Sequence, residues 1–514
     1  MELRKFEFHH SLKNIPIPKR DYYLKVLIAK TEEFIQRLRW KVFYYLNPPR
    51  LDVDRPNRFG FKTTKTAPQN DDLTPFETEL YELIANIKFD ERKQNGRFQR
   101  ELDRNIRDIN KSEELFVVAD KTSNIYKVSP ADYNKLLNDT ITKDYKQTTR
   151  DVISDIDLEN REIAGRLDII DRMEQLSENC GYISIKDHKE DFRTNPKCRL
   201  INPAKNDMGK VSKQILQKIN NEIRSKLDLN QWHSTQTVLD WFGMIKRKTV
   251  KRFFQLDIVD FYPSISETLL DEALTFAEAH ASINDTEKDI IKQARKSLLF
   301  SQPTNNRNAA KIPWTKKSGL FDVTMGAADG AEVCELVGLL LLKEIQQEFS
   351  QYNMDFGLYR DDGLAAHSRI PPPQLDRIRK DMHKLFGKHG LKITMSQNCS
   401  LERVDFLDVT MNLPKESYEP YRKPNSTPQY VNVGSNHPPN VISQIPRSIE
   451  KRLSSISSSQ EIFDAAAPPT RKPSLTAATT TPLHTINNPP ASQMKQRPTE
   501  NATSCGTTPP TMLQ

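Results

Sequence analysis

Two acidic segments, far apart in the chain, constrain the fold more than any other feature. The first is Phe253-Phe254-Gln255-Leu256-Asp257-Ile258-Val259-Asp260-Phe261-Tyr262-Pro263-Ser264-Ile265. An apolar, strand-like run ends in an acid, and a Pro-Ser turn follows. The second is Gly357-Leu358-Tyr359-Arg360-Asp361-Asp362-Gly363-Leu364-Ala365-Ala366. Here two adjacent acids sit between apolar runs, which predicts a β-hairpin with carboxylates at its turn. Alone, an Asp-x-x-Asp is usually a turn or a helix cap, and an Asp-Asp-Gly is usually a turn. Two such segments, each flanked by strand patterns, fit a more demanding chemistry. Two hard cations about 3.5–4 Å apart need carboxylate oxygens brought from different strands. Asp257 on one strand and Asp361 on the hairpin supply them, with Asp362 as an adjacent, less direct partner.

The rest of the chain divides around these segments. Residues 1–110 are polar, with one amphipathic helix expected over Tyr22–Tyr45, stopped by Pro48 and Pro49, and a charged helical stretch over 77–112. Residues 111–250 mix short strands (Leu115–Ala119, Tyr182–Ile185, Arg199–Ile201) with helices over 155–176, 209–227 and 234–246. Residues 251–413 alternate strand and helix, and Glu332–Leu342 reads as a buried helix with Cys334 as a small core residue. Residues 414–464 hold a hairpin-like piece and a Ser-rich basic helix. Residues 465–514 carry nine Pro, eleven Thr and no aromatic residue. Such a segment buries too little apolar surface to offset its ordering entropy, so a disordered tail is expected.

Composition bounds the remaining classes. No run of 18 apolar residues exists, so no membrane-spanning helix is expected. The start of the chain, Met1-Glu2-Leu3-Arg4-Lys5, lacks the apolar core of a secretory signal. Five scattered Cys without a Cys-x-x-Cys pair argue against a disulfide framework or a Cys-rich zinc site. An intracellular protein, cytoplasmic or nuclear, is the expectation. The net charge of +8 permits a polyanionic partner without requiring one.

The ordered motifs resemble reverse transcriptases. Tyr359-Arg360-Asp361-Asp362 resembles the Tyr-x-Asp-Asp box, and Asp257–Ile265 resembles the first palm motif. Across residues 110–464 the chain is similar to the reverse transcriptases of Penelope-like retroelements. Ala119-Asp120-Lys121, Ile185-Lys186-Asp187-His188-Lys189, Arg199-Leu200-Ile201, Phe406-Leu407-Asp408-Val409, Tyr421-Arg422-Lys423-Pro424 and Ser435-Asn436-His437-Pro438-Pro439 stand in the order of that family's boxes.

The resemblance implies an α+β right-hand polymerase. It comprises an N-terminal helical extension (1–110), fingers (111–250), a palm (251–413), a thumb (414–464) and a tail (465–514). It implies RNA-directed DNA synthesis from deoxynucleoside triphosphates on an RNA template and a DNA primer. Asp257, Asp361 and Asp362 carry over as the catalytic ligands of two Mg²⁺ or Mn²⁺ ions. Tyr262 takes the position of the steric gate that excludes a ribose 2′-OH. Lys186 and Arg199 carry over as holders of the incoming triphosphate, chemistry suited to an ammonium point charge and a guanidinium fork. Phosphate contacts to the template-primer are expected from Lys205, Lys210, Arg422, Lys423 and Arg447. Trp232 and Trp314 are expected to pack rather than to stack on bases.

Two departures stand out. The family's Gly-x-x-x-Ser-Pro box reads Met325-Gly326-Ala327-Ala328-Asp329-Gly330-Ala331-Glu332 here, so only Gly326 is carried over, as a point of close backbone approach to nucleotide or template. No GIY-YIG endonuclease signature is present, so no nicking activity is expected. The peptide Cys505–Gln514 can be encoded so that another frame reads Trp-Tyr-Asn-Pro-Pro-Tyr-Asn, and a frameshift upstream of Cys505, near Pro469, is expected. The alternative to an active enzyme is a catalytically inactive, nucleic-acid-binding remnant of a retroelement.

Overall fold

The computed structural model describes residues 4–6, 20–48, 58–61, 66–88, 104, 106–122, 124–187, 189, 191–302, 310–396, 399–422 and 439–467. The tail from residue 468, His188, Lys423 and Ser435–Pro438 lie outside the described residues.

A five-stranded sheet organises the molecule. Its order is Ile393–Met395, Lys251–Ile258, Asp362–Ser368, Asp355–Tyr359 and Asn230–Gln231. All neighbours are antiparallel except the last pair. The central strand Lys251–Ile258 buries Phe253, Phe254, Leu256 and Ile258 almost completely. Its polar residues, Lys251, Arg252, Gln255 and Asp257, are only partly buried or exposed, and Asp257 lies near its C-terminal end.

Helices fill one face of this sheet. Gly330–Phe349 buries residues all round its circumference, from Val333 and Cys334 to Leu342 and Ile345, as a core helix must. Met208–Lys226 packs against it through Met208, Val211, Ile215, Leu216, Ile219 and Ile223, one apolar stripe at helical spacing. Helices Glu267–His280 and Pro372–Lys388 complete the same core. The N-terminal extension joins it directly: Phe61 is 3% exposed within this core, with the Lys210 ammonium 4.8 Å from its ring centroid.

Three smaller sheets surround this centre. Arg4–Phe6, Ile125–Val128 and Leu115–Val118 form one, and the Tyr182–Ile185/Cys198–Ile201 ribbon meets it where the Asp120 amide donates to the Ile185 carbonyl at 2.7 Å. Tyr145–Gln147, Ile312–Lys316 and Leu299–Ser301 form a second. Arg403–Phe406, Val409–Asn412 and Ser417–Pro420 form a third, on which the helices Pro439–Ser455 and Gln460–Ala466 sit. This is an α+β architecture in which helices of the N-terminal residues pack beside the central sheet and its covering helices.

Most expected elements are present, with two informative differences. The helix expected over 155–176 is Asp151–Arg166. The apolar period runs on through Leu167, Ile169 and Ile170, but Asp168 adopts φ 54° and turns the chain so that Ile169 enters the core. Within 77–112 the structure places the helix Thr74–Ala85, opened by Pro75, and a further helical turn at 106–111. Residues 89–103 lie outside the described residues. Among the described residues, no helix is long and apolar enough to cross a membrane.

Candidate active site

The sheet register brings the acids together. Asp257 is the penultimate residue of the central strand and stands directly opposite Asp362. Directly opposed residues project to the same face. Asp361 occupies the hairpin turn, and its carbonyl accepts the Ile258 amide at 2.8 Å. Both turns that present these acids use left-handed backbone at non-glycine residues: Asp260 has φ 47° and Arg360 has φ 54°. Such conformations cost of order 1–3 kcal/mol each and cluster at functional sites.

Asp257 is accessible, yet its carboxyl is pushed above the usual carboxylate range. Crowding by protein is the first cause and the Asp361 carboxylate the second, while Lys121 and Lys189 pull the other way. Lys121, in the loop after Leu115–Val118, and Lys189, between the strands Tyr182–Ile185 and Cys198–Ile201, thus lie within electrostatic reach of Asp257. Both stand inside boxes read from the sequence, where nothing marks them for a role; Lys121 differs from its neighbours by its left-handed backbone, φ 67°.

Lys186 and Arg199 sit on the same ribbon. Burial holds the Lys186 ammonium below its ordinary value, opposed by the Asp260 carboxylate, with Arg199 lowering it and Asp120 raising it further. Arg199 Nη1 is 3.0 Å from Asp120 Oδ1. The Ala-Asp-Lys and Arg-Leu-Ile boxes thus meet through an ion pair. Asp187 is a structural residue: its Oδ2 accepts from Thr122, Asn124 and Tyr126 at 2.8–2.9 Å.

Tyr262 follows on a short helix, Phe261–Ser264. Its ring is half-buried, and burial pushes the phenol up to about 12, with Cys334 adding to and Arg360 opposing the rise. The exposed Arg360 guanidinium lies 5.7 Å from the Tyr359 ring centroid. Gly326 has φ 116°, and a Cβ there would fall 2.3 Å from the Asn202 carbonyl oxygen. Its close approach is thus to the backbone that leaves the fingers ribbon, and the Asn202 amide donates to the Met325 carbonyl at 3.1 Å beside it.

The nucleic-acid candidates separate. Lys205, Arg422 and Arg447 are exposed. Lys210 is engaged within the protein, 2.8 Å from Asp207 Oδ1 and over the Phe61 ring. Lys423 lies outside the described residues. Trp232 and Trp314 are buried, Trp232 against Trp241 and Phe406, and Trp314 donating to Ser301 Oγ at 2.8 Å.

The site fits divalent cations as far as its donors go. The Asp361 carboxylate helps to raise the proton affinity of Asp257, an effect that positive charge beside them would relieve, and Mg²⁺ is commonly held by one or two carboxylates plus substrate phosphates. Among the described residues, no group of three or more acid, His or Cys side chains is arranged to hold a metal by itself.

No protein-family model and no curated protein matches the chain. Solved structures do. Telomerase from Candida albicans, in complex with a fragment of telomeric RNA, matches with 11% identity and TM-score 0.48, over 76% of this chain and 63% of that one. Apo telomerase from Candida tropicalis matches with 11% identity and TM-score 0.45, over 89% and 87%. The RNA-dependent RNA polymerase of a human picobirnavirus matches with 10% identity and TM-score 0.40, over 78% and 83%. The chain spans less than two thirds of the Candida albicans protein. What the chain itself shows is an α+β fold whose sheet register sets Asp257 opposite Asp362, with Asp361 in the adjoining turn.

Proposed function

We propose that this chain is an RNA-directed DNA polymerase of the Penelope-like retroelement type, with fingers, palm and thumb divided at about residues 110, 250, 413 and 464 as the sequence boxes suggest. The observation that carries the reading is the juxtaposition of Asp257, Asp361 and Asp362 at one end of the central sheet pair.

Asp257 and Asp361 are the metal ligands and Asp362 their neighbour. When bound, two Mg²⁺ or Mn²⁺ ions lower the pKa of the primer 3′-hydroxyl and neutralise the triphosphate. Lys186 and Arg199, joined by Lys121 and Lys189, hold the phosphates of an incoming deoxynucleotide on the fingers side. Tyr262 stops the sugar edge and excludes a 2′-OH. Lys205, Arg422 and Arg447 carry the RNA template and DNA primer by their phosphates, giving salt-sensitive, sequence-tolerant binding.

Primer extension on poly(rA)/oligo(dT) with Mg²⁺ or Mn²⁺, wild type against Asp361→Ala, tests this. Extension by the wild type and its loss in the variant are expected. Extension that survives Asp361→Ala overturns the site; duplex binding without extension by either protein supports an inactive remnant.

A further inference from the structure

The loop that precedes the helix Gly330–Phe349 carries an acid where water does not reach. Asp329 is 0% exposed, and its carboxylate is ion-paired with Arg295, itself 1% exposed. The pair is incompletely satisfied: Arg295 Nε and Nη1 and Asp329 Oδ2 have no hydrogen-bond partner among the described residues. Desolvation offsets the Coulomb gain of such a pair, so it is a poor source of stability. Its effect is geometric.

Arg295 holds the loop at both ends. Its carbonyl accepts the Asp322 amide at 3.0 Å, and its guanidinium takes Asp329. Between them, the Met325 carbonyl accepts the Asn202 amide at 3.1 Å. The Asp329 carbonyl then accepts the Val333 amide at 3.0 Å and starts the helix. The next residue is Gly330, and a Cβ there would stand 3.5 Å from the Tyr262 ring and 3.3 Å from the Thr324 carbonyl oxygen. Bare backbone at Gly330 is therefore the wall on which the Tyr262 ring rests.

We propose that Arg295 and Asp329 are positioning residues for sugar selection. The buried pair fixes the backbone of Gly330 behind Tyr262, and so sets where the ring stops a nucleotide's sugar. This rests on the polymerase reading above, and it assigns a task to the acid that immediately precedes Gly330-Ala331, where the expected box has Ser-Pro.

The test replaces both partners, Arg295→Met with Asp329→Leu, in the full chain. A single change leaves a buried charge alone and is expected to unfold the region; the apolar pair matches the volume and is neutral or stabilising in comparable cases. Two readouts apply. Hydrogen exchange by mass spectrometry is expected to speed up at the amides of 325–331. The ratio of kcat/KM for deoxynucleotide over ribonucleotide is expected to fall about tenfold. Unchanged exchange overturns the proposal, as does an equal loss on both substrates with the ratio intact. A collapse of the unfolding midpoint in the double variant overturns it as well, by making the pair structural support. If the wild type extends no primer, the polymerase reading fails on its own, and exchange alone then decides whether the pair holds the loop.

Discussion

Asp257 and Asp362 are cross-strand partners, while Asp361, one residue away, sits in the turn and binds the main chain beyond Asp257 through its carbonyl. The three acids are thus not equivalent. Asp257→Asn is expected to lower kcat by at least about a thousandfold, and Asp362→Asn by roughly tenfold to a hundredfold. Single-turnover extension checks this; equal losses at both positions would contradict the ranking.

In the proposed function Tyr262 bears on the sugar and not on the chemistry. Tyr262→Ala is expected to raise ribonucleotide incorporation about tenfold or more relative to deoxynucleotide. A ratio that does not move in competition assays removes the gate.

Gly326 cannot accept a side chain. With φ 116° and the Asn202 carbonyl oxygen 2.3 Å from a Cβ, Gly326→Ala is strained and clashing at once. A loss of about 1–3 kcal/mol in denaturant unfolding is expected. An unchanged midpoint would mean that the loop yields freely.

Cys198 is held protonated by burial, its thiol pushed up to about 11 despite the nearby Lys186 ammonium. The folded state therefore keeps a proton that the unfolded chain releases first. Stability from this group is present below the ordinary thiol range, near 9, and is lost as pH rises toward 11. Alkylation of Cys198 at pH 8, followed by peptide mass spectrometry, should be slow in native protein and fast in denaturant. Rapid native labelling would refute the burial argument.

Asp408 joins three elements. Its carboxylate accepts from Thr235 at the start of the helix Thr235–Met244 and pairs with Arg452 in the helix Pro439–Ser455. The Arg452 side chain is 68% exposed, so the pair adds no more than about 1 kcal/mol to stability. Its expected effect is on product length. Asp408→Arg should shorten processive products, and adding Arg452→Asp should restore much of that length. No restoration would assign the defect to Thr235 or to the turn itself.

The acidic hairpin was legible because alternation, turn residues and paired acids all lie within ten consecutive positions. The helices Met208–Lys226 and Gly330–Phe349 were legible for the same reason: their apolar residues recur locally. What stayed hidden depends on contacts between distant segments. Lys121 and Lys189 read as ordinary surface lysines, and only the fold brings both within electrostatic reach of Asp257. Arg295 and Asp329 each look like solvated charges, and only packing removes the water. Asp168 hides a helix end, because the apolar period continues past the point where its left-handed backbone turns the chain. Lys210, a nucleic-acid candidate by sequence order, has partners that order does not show: Asp207 and the Phe61 ring.

The central strand Lys251–Ile258 has both of its long-range neighbours, Asp362–Ser368 and Ile393–Met395, later in the chain. A ribosome adding about 5–20 residues per second leaves this strand without sheet partners for on the order of ten seconds. During that interval Phe253, Phe254, Leu256 and Ile258 stand on a strand with open edges, the kind of segment that seeds aggregation. A nascent chain released before Asp362 would carry that hazard permanently, and chaperone demand during translation should peak between these two points.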